Sequence, residues 1–519
     1  MCRLPAFARG ALLLVCTALG GAAAGAAPEA APLPYAPAVA ARFAEPVETY
    51  ATPGLQAGRD RWTDNAEMAA ALRTLAGAGA AELLNLGRTD AGAELLVLRF
   101  SRGPGRPVAL LVGQQHGNEP AGGEALLALA MQLANPQHPV SAVLDRLDVL
   151  LLPRANPDGV ALDRRRNATG ADINRDHLLL RTQEAGVIAD LVTRWQPVLF
   201  VDVHEHIALG RYVASFGGIK GQDLLVQYAT TPNLPPAMTA LVEQGFRLPL
   251  LSALDAAGIT HEWYYTNPRD PQARLLTMGG AQPGLARNAG GLKQMVSVLL
   301  ESRGFDLGRL HARRRVHSHV VALHSLLRSA AALAQNLPQR LSDIGVVVAR
   351  QACHGTLVLD AAPTRRRRAL QMIDPDSGAD LPVTVDWDDM LQLQPVQTRA
   401  RPCGYWLAPD ATEAVARLHR WGVQVRTLPA ERSLQVERYV ETGRFEGRPG
   451  EDGGLARRIT ATLAADTWRA PAGSFYVPMD QPLANLVAAA LEPDTAHAWF
   501  AHGLLPRLDA VMRVTTPAP

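Results

Sequence analysis

Four stretches of the chain carry side chains able to hold a metal or move a proton. In Val108–Glu119 an apolar run ends in a glycine-containing loop bearing His116 and, three residues on, Glu119. A turn puts an imidazole nitrogen and a carboxylate oxygen at that spacing within reach of one point, which suits Zn²⁺. In Val198–His206, VLFVDVHEH, residues two apart share a strand face, so Asp202, His204 and His206 point together at its carboxyl end. One of these histidines completes a His₂Glu set and leaves a position open for water; His206 competes with His204 for that place. Leu152–Asp176 combines an Asn156-Pro-Asp-Gly turn, the arginines 164–166 and Asp172-Ile-Asn174-Arg175. Guanidinium groups here suit gripping a carboxylate or stabilising an oxyanion. In Ser297–Gly304 an apolar strand ends at Glu301, an odd structural choice but a fitting general base.

These residues need elements to hold them. Apolar runs at Leu95–Phe100, Val108–Gly113, Val149–Leu152, Val198–Val203 and Val296–Leu300 predict buried strands. Glu124–Leu133 and Gln183–Trp195 predict helices between them. This alternation predicts an α/β fold, a mostly parallel mixed sheet with helices on both faces. The proposed sites then fall at strand carboxyl ends, where open α/β sheets place them. Leu310–Leu337 reads as one long helix ended by Pro338, its histidines 311, 317, 319 and 324 on the surface.

Beyond residue 340 the pattern changes to short strands at Val346–Ala349, Thr356–Leu359, Val383–Val385, Gly404–Leu407 and Ser474–Val477. With helices at Thr412–Trp421 and Leu483–Leu491, this predicts a smaller α+β or β-rich domain, with Arg365–Arg368 in a solvated loop. The organisation expected is a signal peptide over 1–27, an extended lead-in over 28–58, a catalytic domain over 59–339 and the C-terminal domain over 340–519.

The composition supports this division. The 519 residues are 48% hydrophobic and 19% charged, too many for one ordinary core and too apolar for general disorder. Lys plus Arg number 51 against 49 acids, a net of +2, so no broad field draws nucleic acid or an anionic membrane. Lys220 and Lys293 are the only lysines; with the alanine excess, this points to a GC-rich bacterial genome. Arginines at the start, an apolar Gly10–Gly21 and small residues to Ala27 describe an export signal, and no later stretch reads as transmembrane. Cys2 and Cys16 leave with that signal, whereas Cys353 and Cys403 either pair or remain buried thiols.

In this order the motifs His116-x-x-Glu119, Asn156-Pro-Asp-Gly, Asp172-x-Asn174-Arg175, His204 and Glu301 resemble the zinc carboxypeptidases, the carboxypeptidase A-like metallopeptidases, over about Gly58 to Leu310. The resemblance implies that His116, Glu119 and His204 bind one Zn²⁺ and that Asp172 accepts the other ring N–H of His116. It implies that Asn174 and Arg175 hold the free terminal carboxylate of a peptide substrate, and that Arg166, with Arg164 in reserve, stabilises the oxyanion. Glu301 would deprotonate a zinc-bound water and protonate the leaving amine. The mobile tyrosine of well-studied members is absent from Gly279–Lys293, where Arg287 is the substitute substrate contact. An exported, periplasmic or secreted carboxypeptidase is thus expected. The alternatives are an N-acyl amino acid amidohydrolase resembling succinylglutamate desuccinylase or aspartoacylase, and a peptide-binding protein on the same scaffold.

Overall fold

Stretches with apolar side chains on both faces become central strands because helices can then cover both sides of the sheet. In the computed structural model, which describes residues 33–267, 273–446, 457–495 and 497–518, Val108–Gly113, Asp148–Leu152, Leu199–His206 and Val296–Arg303 are buried along their whole lengths. They form the middle of an eight-stranded mixed sheet in which these four run parallel to their neighbours in the set. Glu82–Arg88 and Glu94–Phe100 extend one edge; Leu224–Tyr228 and His261–Trp263 extend the other. Helices Pro120–Ala134 and Ala312–Leu333 pack on one face of the sheet, in a core that includes Leu126, Val203, Leu300 and Leu323. On the other face Val187 and Ile188 of helix Gln183–Trp195 meet Leu110, Leu150 and Phe200. The mostly parallel mixed sheet is as expected.

Two further sheets follow. A five-stranded sheet is built on the long hairpin of Thr356–Ile373 and Asp380–Ala400, edged by Ile219–Lys220 on one side and by Leu275–Met278 and Tyr265–Thr266 on the other. Its strands thus come from both sides of residue 340. A six-stranded sheet includes Gly404–Leu407, Phe475–Pro478 and Val511–Val514. Its core takes in Ile173, Leu178, Leu179 and Leu292, and Trp499 donates its indole N–H to the Leu178 carbonyl at 3.0 Å. The C-terminal region therefore packs directly on the segment that carries Asn174 and Arg175. Cys353 and Cys403 are joined in a disulfide.

Several local expectations are corrected. The long helix ends at Leu333, and Pro338 lies in the first turn of a second helix, Leu337–Ala349, where its missing N–H has no intrahelical partner to lose. Val346–Ala349 is therefore helical. Leu337, Leu341, Ile344 and Val348 are buried at helical spacing, and that packing overrides the strand preference of three valines. Arg365–Arg368 lies within a strand, not a loop. The facing strand presents acids, so Arg365 pairs with Asp388 at 2.8 Å and Arg366 with Asp389 at 2.6 Å. Residues 1–27 and the first part of the lead-in lie outside the described residues. The remainder of the lead-in includes a helical turn at Pro37–Ala41.

The long helix does not carry its histidines on the surface. His319 is fully buried, His311 donates or accepts against the Tyr35 hydroxyl at 2.7 Å, and His324 meets Gln132. Burial pushes His319 down to about 3 and His324 to about 3. These values lie below the unfolded value of about 6.5, so the unfolded chain binds more protons between the two limits. Stability is expected to fall as pH drops from about 6.5 towards 3, His319 alone adding a slope of about 1.4 kcal/mol per pH unit. Unfolding midpoints in denaturant from pH 7 to pH 4 check this; a flat profile refutes it.

Candidate metal centre

The strand Val108–Gly113 delivers its chain into a loop that must turn sharply, with Gln114 at φ 49°. Gly117 is required there: a Cβ would fall 2.0 Å from the Gly159 carbonyl carbon. Asn156 explains why the metal loop and the Asn-Pro-Asp-Gly turn belong together. Its Oδ1 caps the short helix Pro157–Ala161 through the Gly159 N–H at 2.8 Å. Its Nδ2 donates to the carbonyls of Gln115, at 3.1 Å, and Arg165, at 3.2 Å. One amide thus ties the histidine loop to the arginine loop. Pro120 starts the next helix, and the Glu119 carboxylate, which makes no cap bond, is left to face the cluster.

His116, Glu119 and His204 converge. One donor atom from each lies within 4.8 Å of the others, and all three side chains are buried. Glu119 approaches the His116 Nδ1 at 2.8 Å and the His204 Nδ1 at 2.7 Å, and the two Nδ1 atoms are 3.0 Å apart. Each imidazole turns its other nitrogen to a carboxylate. His116 Nε2 meets Asp172 at 3.2 Å, and His204 Nε2 meets Asp202 at 2.8 Å. Such backing sets the tautomer and raises the basicity of the inward nitrogen. This donor set, two imidazoles and one carboxylate without a fourth protein ligand, fits a Zn²⁺ with an open position. Among the described residues no other group of three such side chains forms a metal-sized cluster.

The electrostatics agree with a cation centre. Burial would raise Glu119, but the adjacent His116 and His204 hold it well below the usual carboxylate range. Asp172 behaves likewise, against burial, through His116 and Arg165. Burial would lower His204, yet Asp202 and Glu119 push it well above its usual value.

Glu301 lies opposite His204 in the parallel register of the adjacent strand. Its carboxyl has no hydrogen-bond or ion-pair partner among the described residues. Burial first, and then the negative Glu119, pushes it up to about 8, with His204, Lys220 and Arg165 pulling the other way. Asn174 is held inward: Nδ2 donates to Asp202 at 3.0 Å and its Oδ1 accepts from the Ala286 N–H at 2.8 Å. Arg175 is half-buried, with Nη1 on the Asn174 carbonyl.

The arginine expectation is corrected. Arg166 donates to the Gly170 carbonyl at 3.0 Å, away from the cluster, and Arg164 is exposed. The arginine that faces the cluster is Arg165, with Nε on Asp172 at 3.0 Å and Nη1 at 3.2 Å from His116 and 3.6 Å from Glu119. The loop is closed on one side by Arg164 N–H to Gly159 and on the other by Asn167 N–H to Ala171, and this turns the middle side chain inward. His206 points elsewhere, its Nδ1 towards the Ile207 carbonyl.

Three further residues contribute. Asp202, which the strand alternation already aims alongside His204, backs that imidazole; the other two, Glu205 and Tyr264, had no role in the sequence reading. Glu205, bonded to the buried Arg315 at 2.5 Å, accepts from the Ala121 N–H and so ties the ligand strand to the ligand helix. Tyr264 sits among Glu301, Arg165, Arg287 and Arg175, whose charges all act on it. It approaches from the sheet edge rather than from Gly279–Lys293, so its distance in sequence concealed it.

A buried two-imidazole, one-carboxylate set at the carboxyl ends of parallel strands, beside an unpartnered carboxyl, defines a metal-dependent hydrolase. The family model described as zinc carboxypeptidase matches residues 68–204. Carboxypeptidase 2 of Trichophyton equinum is 31% identical over 399 residues, covering 76% of this chain and 73% of the relative. Human carboxypeptidase Z is 35% identical over 136 residues, covering 21% of each chain. A metallo-carboxypeptidase structure from Burkholderia cenocepacia aligns with a TM-score of 0.41 at 19% identity, over 52% of this chain and 70% of that one. The chain belongs to the zinc carboxypeptidase family and is a metallocarboxypeptidase, a hydrolase acting on peptide bonds.

Proposed function

We propose that this chain is an exported zinc carboxypeptidase that removes the last residue of peptides bearing a free terminal carboxylate. The observation that carries the reading is the convergence of His116, Glu119 and His204 on one point, with Glu301 and Arg165 at its edge. Zinc held by those three donors supplies Lewis acidity towards a carbonyl and makes water more acidic.

The chain's own residues then divide the work. Glu301, a buried carboxyl beside the cluster with no bonded partner among the described residues, takes the proton of the attacking water and returns it to the leaving amine. Arg165 presents a guanidinium, fixed by Asp172, to the charge that develops on the carbonyl oxygen. Arg175 receives the terminal carboxylate. Export is supported by the basic, then apolar, then small-residue pattern of residues 1–27 and by the Cys353–Cys403 bond, which suits an oxidising compartment such as the periplasm or the exterior. Among the described residues no helix is long and apolar enough to cross a membrane.

Purified, zinc-loaded chain incubated with a mixed peptide library, followed by mass spectrometry, tests the reaction. Stepwise loss of residues from free carboxyl ends, with amidated peptides untouched, is expected; internal cleavage or equal attack on amides overturns it. Arg165→Ala is expected to lower kcat/KM by about 10²–10³, the usual loss for an oxyanion donor, and Arg166→Ala to change it less than about threefold. Steady-state kinetics of the two variants decide between the neighbouring arginines.

A further inference from the structure

Two guanidinium groups near the cluster lack a carboxylate of their own. Arg175 makes one bond, to the Asn174 carbonyl. Arg287 is 3% exposed; its Nη2 donates to the Gly280 carbonyl at 2.7 Å, while its Nε is shut off from water without a partner. Among the described residues neither arginine forms an ion pair. Arg315 and Arg513, as deeply buried, each close on carboxylates: Glu205 for the first, Glu437 and Glu492 for the second. A buried, unpaired guanidinium is costly to keep in a fold, and an anion that arrives with a ligand removes that cost.

The place of Arg287 is defined. A Cβ on Gly279 would lie 2.6 Å from Arg287 Nη2 and 2.7 Å from the Tyr264 ring, so guanidinium and phenol flank the same backbone. The charges of Arg175 and Glu301 both act on Arg287. Its segment is held to the Arg175 segment by Ala286 N–H to Asn174 Oδ1, and its loop is held by Asn288 Nδ2 to the carbonyls of Gly280 and Gln282. Burial pushes Arg287 down only to about 10, so it stays a cation at neutral pH.

We infer that the chain prefers peptides ending in aspartate or glutamate, with Arg175 holding the terminal carboxylate and Arg287 the side-chain carboxylate. This rests on the reading of the chain as a carboxypeptidase. A guanidinium meets a carboxylate with two parallel, charge-assisted bonds. An apolar terminal side chain leaves Arg287 unpaired, and a basic one opposes it.

Peptides of one body ending in Glu, Asp, Leu or Lys, given to the zinc-loaded full chain, test the inference. The acidic ends are expected to exceed Leu about 100-fold in kcat/KM, with Lys lowest. Arg287→Met is expected to cut kcat/KM for the acidic ends far more than for Leu and so to remove that advantage, and Arg287→Lys to keep the order of preference. Binding of the same peptides to Glu301→Gln protein by calorimetry separates recognition from turnover. If nothing is cleaved but the acidic ends bind preferentially, the proposed reaction fails and the specificity stands. A preference for Leu or Lys in both readouts overturns the inference, as does an equal loss for all peptides in a folded Arg287→Met protein, which would mark Arg287 as a prop for Gly280.

Discussion

Glu301→Gln is expected to lower kcat/KM for peptide hydrolysis by about 10³–10⁴, near the upper end of what a general base contributes. The amide has the shape of the acid but cannot take a proton. Because the Glu301 carboxyl has no bonded partner among the described residues, the change removes no fold contact. Metal content and unfolding midpoint should therefore match those of the unaltered chain, and the whole loss should appear in turnover. Kinetics alongside elemental analysis check both halves. A variant with undiminished turnover would show that the proton travels by another route.

His116→Ala is expected to lose the metal itself. Removing one of three protein donors leaves Glu119 and His204, too few for a stable zinc site. Metal content after dialysis should fall from about one per chain towards zero, taking activity with it. Asp172→Asn should be milder, about 10–100-fold in metal affinity, because it removes no donor and loosens the ring that His116 presents, along with the Arg165 guanidinium. Titration against a chelator of known affinity ranks the three proteins. Full metal retention by His116→Ala would remove His116 from the donor set.

How much of this was legible follows from the range of the forces involved. His116, Glu119 and Glu301 stand out in the chain because a buried strand declares itself by a run of apolar residues and a polar residue at its end breaks that run; the choice of His204 over His206 came from the resemblance to the zinc carboxypeptidases. Strand and helix bounds around them were legible for the same reason: Val108–Gly113 and Gln183–Trp195 are as the pattern predicts. Val346–Ala349 reads as a strand because a short run rich in valine favours one locally, while it ends a helix whose Leu337, Leu341, Ile344 and Val348 are buried at helical spacing.

Local periodicity in the sequence was enough to predict the parallel α/β sheet, while the donor set His116, Glu119 and His204 and the base Glu301 came from the resemblance to the zinc carboxypeptidases, spacing alone leaving His206 in competition with His204. Tertiary structure alone decided which of three adjacent arginines faces the cluster, since that depends on how the loop closes at Gly159 and Ala171. It alone brought Tyr264 to Glu301, set the C-terminal region against the Asn174–Arg175 segment and buried His319. These outcomes depend on contacts between residues far apart in the chain, and no local pattern records them.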